Sequence, residues 1–230
     1  MAGGEADRKH YEGHRERIRQ RFLTLGADNL EDYEILELLL TTILPRQDVK
    51  PLAKSLLQHY GSFAAVMHAD AEELQRIKGI GPATAVTLTI IAAAAVRMLR
   101  DTTRQAANLS SFESVIEYCR LAMGFEDREQ FRILFLDRKN RLLADEVQQK
   151  GTVDHAPVYP REVARRALQH NATAVILVHN HPSGDPTPSR ADIAMTKEIV
   201  AAAKAVGVTV HDHIVIARDG HASLRALGLM

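Results

Sequence analysis

The sequence predicts an α/β protein overall, with an all-α module over residues 1–105 followed by an α/β module over residues 106–230. Three observations predict it. From residue 14 to about residue 100, apolar residues recur at helical spacing and few β-branched runs interrupt them. Asp101 to Ser110 is polar and small, the composition of a linker. Beyond it, β-branched and alternating runs of strand length alternate with helical stretches, the pattern of a sheet flanked by helices.

In the first module, Ile35, Leu38 and Leu39, then Leu52, Leu56 and Leu57, mark the apolar faces of two helices. Pro45, Gly61, Gly79 and Gly81 fall between helical stretches, where chain breakers belong. In the second module, Ser114 to Leu121 has helical spacing and carries Cys119, which reads as a buried structural thiol. Phe131–Asp137, Leu142–Gln149, Ala174–His179 and Val208–Ala217 read as strands, and Pro160–His170 and Arg190–Val206 as helices.

Charge narrows the function classes. The 230 residues carry 29 Lys and Arg against 29 Asp and Glu, a formal sum of zero, and each module balances separately. A strongly cationic nucleic-acid binder is excluded at this level, though local basic patches are not. A single cysteine permits no disulfide within the chain and fits a reducing compartment. No apolar run reaches the ~18–20 residues of a membrane span, and Met1 to His10 lacks the apolar core of a signal peptide. The expectation is a cytoplasmic protein without membrane association.

Leu74 to Ala85 contains Gly79-Ile80-Gly81-Pro82: two glycines flank an apolar residue, and proline opens a helix where its missing N–H costs nothing. This stretch resembles a helix-hairpin-helix motif, which implies weak, sequence-independent contact with DNA backbones through Lys78, Gly79 and Gly81. Asp48 to Ser62 is a degenerate candidate for a first copy. Arg15, Arg17, Arg19 and Arg21 would support such contact, although Glu12 and Glu16 among them also suit a solvated helix face. A helical hairpin used only for packing or protein contact is the other reading.

The densest constellation is His179-Asn-His-Pro-Ser-Gly-Asp-Pro-Thr-Pro-Ser-Arg-Ala-Asp192. Histidines at i and i+2 share a direction only on extended backbone, and these follow an apolar strand. Asp192 falls in the first turn of the next helix, beyond a Pro/Gly loop able to fold back. Two imidazoles and a carboxylate suit zinc and leave a fourth position for water, the catalytic rather than the structural arrangement. Each part has a plainer reading: a His-x-His pair can be polar decoration, and Ser189-x-x-Asp192 is also a helix capping box. Neither explains both features joined by this spacing.

The pattern Glu…His-x-His-Pro…Ser-x-x-Asp resembles the JAMM (MPN+) metallopeptidase signature. The wording His179-Asn-His-Pro-Ser-Gly-Asp-Pro, together with Gly151-Thr-Val, Tyr159-Pro-Arg-Glu-Val and the Asp212-His-Ile strand, resembles its RadC branch. The resemblance spans about residues 14–228. It implies an MPN/JAMM (cytidine-deaminase-like) domain, with a mixed sheet flanked by helices, in residues 106–230. It implies a zinc hydrolase acting on an amide or isopeptide bond in a protein or peptide, in a DNA repair context. It places one zinc ion per chain on His179, His181 and Asp192. Ser189 matches the serine that stabilises the oxyanion, and the acid/base glutamate is expected on an upstream strand, at Glu146, with Glu162 as the alternative. A DNA-binding protein whose second domain is a nuclease or an inert scaffold is the competing reading, and a homodimer stays open. Asn180 stands where eukaryotic-type members carry Ser or Thr, and Pro45 to Asp48 departs from the glycine-containing turn commoner in RadC proteins. His211-Asp212-His213 repeats the i, i+2 spacing. It either orients a ligand imidazole or simply finishes a strand.

Overall fold

The computed structural model describes residues 3–105, 112–150 and 158–230. The chain divides into two compact units, residues 1–94 and 95–230.

The first unit contains α1 (Gly3–Leu25), α2 (Asp32–Ile43), α3 (Lys50–Tyr60), α4 (Phe63–His68) and α5 (Ala71–Gln75), and the division falls within α6 (Pro82–Gln105). Local chemistry sets the starts of these helices. Glu31 and Glu34 form a capping box at α2. Ser62 Oγ accepts from the Ala65 amide at 3.1 Å to cap α4, and Asp70 accepts from the Glu72 and Glu73 amides to cap α5. Between α5 and α6, Gly79 takes φ +99°, a left-handed conformation that glycine adopts without strain. Ile80 is buried in that turn, beside a core built from Leu36, Leu40, Leu56, Val66, Leu74 and Leu88. Asp48 to Ser62 is mostly α3, which Gly61 ends in the left-handed region before Ser62 opens α4.

Two sequence expectations need adjusting. The polar segment from Asp101 does not start a linker, because α6 stays helical through Gln105; residues 106–111 lie outside the described residues. The compact units part at Ala94/Ala95, within α6. In addition, Pro82–Asp101 is long and apolar enough to cross a membrane by length and composition, with mean hydropathy 1.6. Its alanines and isoleucines outweigh Arg97 and Arg100 in that sum. Ala85, Leu88 and Ala92 nonetheless belong to the first unit's core.

The second unit comprises α7 (Phe112–Met123), β1 (Gln130–Leu136), β2 (Leu142–Lys150), α8 (Pro160–Gln169), β3 (Ala174–Asn180), α9 (Arg190–Ala205), β4 (Thr209–Ile216) and β5 (His221–Ser223). Its sheet has the order β2-β1-β3-β4-β5, with β3–β4 parallel and every other pair antiparallel. The central strands β1 and β3 are buried along their whole length, which explains their nearly unbroken apolar sequence. Alternation splits the core between the two faces. Leu134, Ile176, Val178 and Ile214 pack with Val115 and Cys119 of α7. Phe131, Ile133, Val175 and Leu177 pack with Val163 and Ala167 of α8 and Ile199 of α9. His179 continues the second of these rows at the carboxyl end of β3.

Candidate metal centre

β3 ends where the chain leaves the sheet, and His181 N donates to Ile216 O at 2.8 Å, holding the exit against β4. The loop then folds back, with Gly184 at φ +88° and its N–H on His181 O at 3.1 Å. This return brings the start of α9 to the two histidines. His179 Nε2 lies 3.0 Å from His181 Nε2 and 3.4 Å from Asp192 Oδ1, and His181 Nε2 lies 3.6 Å from Asp192 Oδ2. Nitrogen and oxygen ligands of a tetrahedral zinc at their usual bond lengths stand about 3.3–3.5 Å apart, so this donor set fits such an ion in both type and spacing. The three residues form a potential metal-binding group.

The outer edges of these ligands are held too. The Asp185 carbonyl accepts from His181 Nδ1 at 2.8 Å, which in the neutral ring leaves the lone pair on Nε2. His179 Nδ1 meets His213 Nε2 at 2.7 Å. Burial raises the Asp192 carboxyl, but the neighbouring His179 and His181 rings outweigh it and hold Asp192 well below the usual carboxylate range. Ser189 Oγ accepts from the Asp192 amide at 3.1 Å, and Asp192 Oδ2 accepts from the Ser189 amide at 2.7 Å. The capping box and the ligand site therefore use the same carboxylate and are not alternatives.

The structure does not bring Glu146 to this group. Glu146 sits opposite Ile133, which in turn sits opposite Leu177, two residues short of His179. Its carboxylate accepts from Arg166 Nε at 2.7 Å, from Arg166 Nη2, and from His170 Nε2 at 2.7 Å, all from α8 or its end. The Arg166 hydrogen bond holds the Glu146 carboxyl below the usual range, against a smaller opposing push from burial and with further help from His170. Alternation places Glu146 on the correct face of the sheet, but α8 covers that face there. Glu162 is likewise occupied, by Arg165 at 2.8 Å.

Among the carboxylates beside His179 and Asp192 is Glu129, which sequence reasoning missed. It lines a cavity of about 380 Å³ together with Phe131, His179, Asp192, Met195 and Glu198. Glu129 precedes β1, and Phe131 pairs with His179 across the β1–β3 ladder. Asn180, on the opposite face from the histidines, fixes this approach: its side chain bonds the backbone of Gln130, Arg128 and Glu126. The available signal was an acidic residue just ahead of an apolar strand, which becomes informative only once that strand's partner is known.

Of the other residues singled out, His211 meets Asn140 Oδ1 at 2.9 Å. Asp212 accepts from Ser223 Oγ at 2.5 Å and from the Arg225 amide at 3.1 Å, fastening β5 and the turn after it to β4. Lys78 and Gly79 are exposed in the α5–α6 turn, and Gly81 is half-buried at the start of α6. Of Arg15, Arg17, Arg19 and Arg21, three have partners within the chain: Arg15 donates to the Pro45 carbonyl at 2.6 Å, Arg21 to Glu34 at 2.6 Å, and Arg19 pairs with Glu16 at 3.2 Å.

Comparison with known families agrees with this architecture. A model described as RadC-like JAB domain matches residues 109–229, and one described as UPF0758 N-terminal matches residues 12–86. The first match covers more than half of the chain and contains the whole His179–His181–Asp192 group. The chain therefore belongs to the RadC-like JAB-domain family.

Proposed function

We propose that the protein is a zinc-dependent hydrolase that cleaves an amide or isopeptide bond in a peptide or protein. The observation that carries this reading is the approach of the His179 and His181 Nε2 atoms and the two Asp192 carboxylate oxygens, with contacts of 3.0 to 3.6 Å, at the edge of a cavity. When bound there, zinc supplies a Lewis acid that polarises a carbonyl and lowers the pKa of a water to about 7.

The chain's own residues supply the remaining functions. Glu129 is the acid/base: it takes a proton from the attacking water and returns it to the leaving nitrogen. It replaces Glu146 in that role because it lines the cavity, whereas Glu146 is held by Arg166 and His170. Ser189 Oγ accepts the Asp192 amide, so its own hydrogen is available for the oxygen that gains charge during attack. Glu129 and Glu198 make the cavity acidic, while Phe131 and Met195 make its walls apolar. Carboxylates repel a phosphodiester backbone, and this favours amide over nucleic-acid substrates.

Zinc-loaded protein offered peptide, isopeptide and branched-DNA substrates side by side tests the reading. Cleavage of an amide substrate is expected, lost in Glu129→Gln and retained in Glu146→Gln. Cleavage of DNA alone overturns it. A subsidiary role for the first unit, weak DNA-backbone contact through Lys78, Gly79 and Gly81, is supported by the exposure of that turn. Its affinity would fall steeply with salt.

A further inference from the structure

We propose that Thr196 and His213 are positioning residues that fix which ring nitrogen of His179 faces the metal centre; this rests on the reading of His179 as a ligand. Hydrogen-bond direction carries the assignment. The carbonyl oxygen of Asp192 can only accept, and Thr196 Oγ1 lies 2.5 Å from it, so the Thr196 hydroxyl hydrogen is committed there. Thr196 Oγ1 then has only lone pairs to offer His213 Nδ1, also 2.5 Å away. His213 Nδ1 must therefore carry a hydrogen and donate it.

His213 and Thr196 are both fully buried, and among the described residues the His213 ring hydrogen-bonds only Thr196 and His179. Phe131 packs edge-on against it at 5.5 Å between ring centroids. A ring enclosed in this way, with no carboxylate on either nitrogen, holds a single hydrogen. Its Nε2 is then bare and accepts from His179 Nδ1–H at 2.7 Å. The remaining lone pair of His179 sits on Nε2, the atom that faces His181 and Asp192.

The relay thus begins at the Asp192 backbone and returns to a point beside the Asp192 carboxylate. Its side chains, Thr196, His213 and His179, join α9, β4 and β3. His181 reaches the same outcome more simply, through the Asp185 carbonyl. Groups that orient a ligand histidine typically contribute 10–100-fold to metal affinity.

The test uses the full chain and zinc itself. Zinc affinity is measured by competition with a chromogenic chelator for wild type, Thr196→Val, Thr196→Ser and His213→Gln. Long-range ¹⁵N–¹H correlation spectra of the metal-free proteins read the ring tautomers. Wild type is expected to show His179 protonated at Nδ1 and His213 at Nδ1. Thr196→Val removes the oxygen while keeping the shape, so it should scramble both tautomers and weaken zinc binding about tenfold or more. Thr196→Ser restores the hydroxyl and should stay within about threefold of wild type.

The proposal is overturned if wild-type His179 carries its hydrogen on Nε2, or if Thr196→Val leaves both tautomers and affinity unchanged. It is also overturned if Thr196→Ser is as weak as Thr196→Val, which marks a packing role. Should Thr196→Val not fold, the wild-type spectrum and the serine and His213→Gln variants still decide. A wild-type chain that binds no zinc sinks the ligand reading instead, while its tautomers stay readable.

Discussion

Asn180 Oδ1 accepts the backbone N–H of Gln130 at 2.8 Å, fifty residues away in sequence. Its amide N–H groups donate to the Arg128 and Glu126 carbonyls at 3.1 and 3.3 Å. One buried side chain, placed between two candidate metal ligands, therefore holds the backbone on both sides of Glu129. Asn180→Ala strands the buried Gln130 N–H and should lower stability by about 1–3 kcal/mol in urea unfolding. Amide exchange should accelerate at Gln130 in particular. Unchanged protection there would contradict the role.

Metal content separates the proposed ligands from the proposed acid/base. Purified protein made with zinc available should hold about one ion per chain. His179→Ala and Asp192→Asn should lose it, while Glu129→Gln should keep it. The asparagine variant is chosen because its side-chain oxygen can still accept the Ser189 amide and so preserves the start of α9. Elemental analysis of the dialysed proteins checks all three.

The Glu146–Arg166–His170 cluster predicts a pH signature in stability. The Glu146 carboxyl is held below its unfolded value by Arg166 foremost, so its contribution is present above the unfolded pKa and disappears as pH falls through the folded pKa. Glu146→Gln should cost about 1–3 kcal/mol near pH 7, where the charge-assisted bonds are intact. The difference from wild type should shrink as pH falls through the lowered folded pKa of Glu146, where both proteins come to carry a neutral group. Thermal unfolding from pH 3 to 8 measures it. A constant offset across that range would show that the charge is not responsible.

Cys119 is fully buried under the sheet, and burial pushes its thiol up to about 12. Thiol reagents need the thiolate. Native protein at pH 8 should therefore resist alkylation for as long as it stays folded, and label fully in denaturant. Labelling at the rate of a free thiol in native conditions would place Cys119 elsewhere.

His179, His181 and Asp192 were legible in the sequence because their geometry is local. Strand spacing aligns the two imidazoles, a Pro/Gly loop returns the chain, and the Ser189–Asp192 capping box marks where α9 must begin. Glu129 was not legible, because it approaches the site only through the β1–β3 pairing, which no local pattern encodes. Glu146 shows the complementary failure. Alternation gives the face of a strand but not what covers that face, and here Arg166 and His170 of the α8 region do. The segment from Asp101 to Gln105 reads as a linker by composition and is helical, since polar residues end a helix only when something interrupts its hydrogen bonds. In the sequence, Arg15, Arg17, Arg19 and Arg21 read either as DNA contacts or as part of a solvated helix face. Arg15 and Arg21 are instead internal ties, to the Pro45 carbonyl and to Glu34.

The capping box at Ser189 and Asp192 has one more consequence. Because the Asp192 carboxylate is already oriented by the Ser189 amide, the socket is shaped by folding rather than by its occupant. The proposed metal would then bind a seat that the fold already holds, unlike proteins that the metal itself folds. On the proposed reading, occupancy then follows the free metal concentration, and the fold does not depend on the ion.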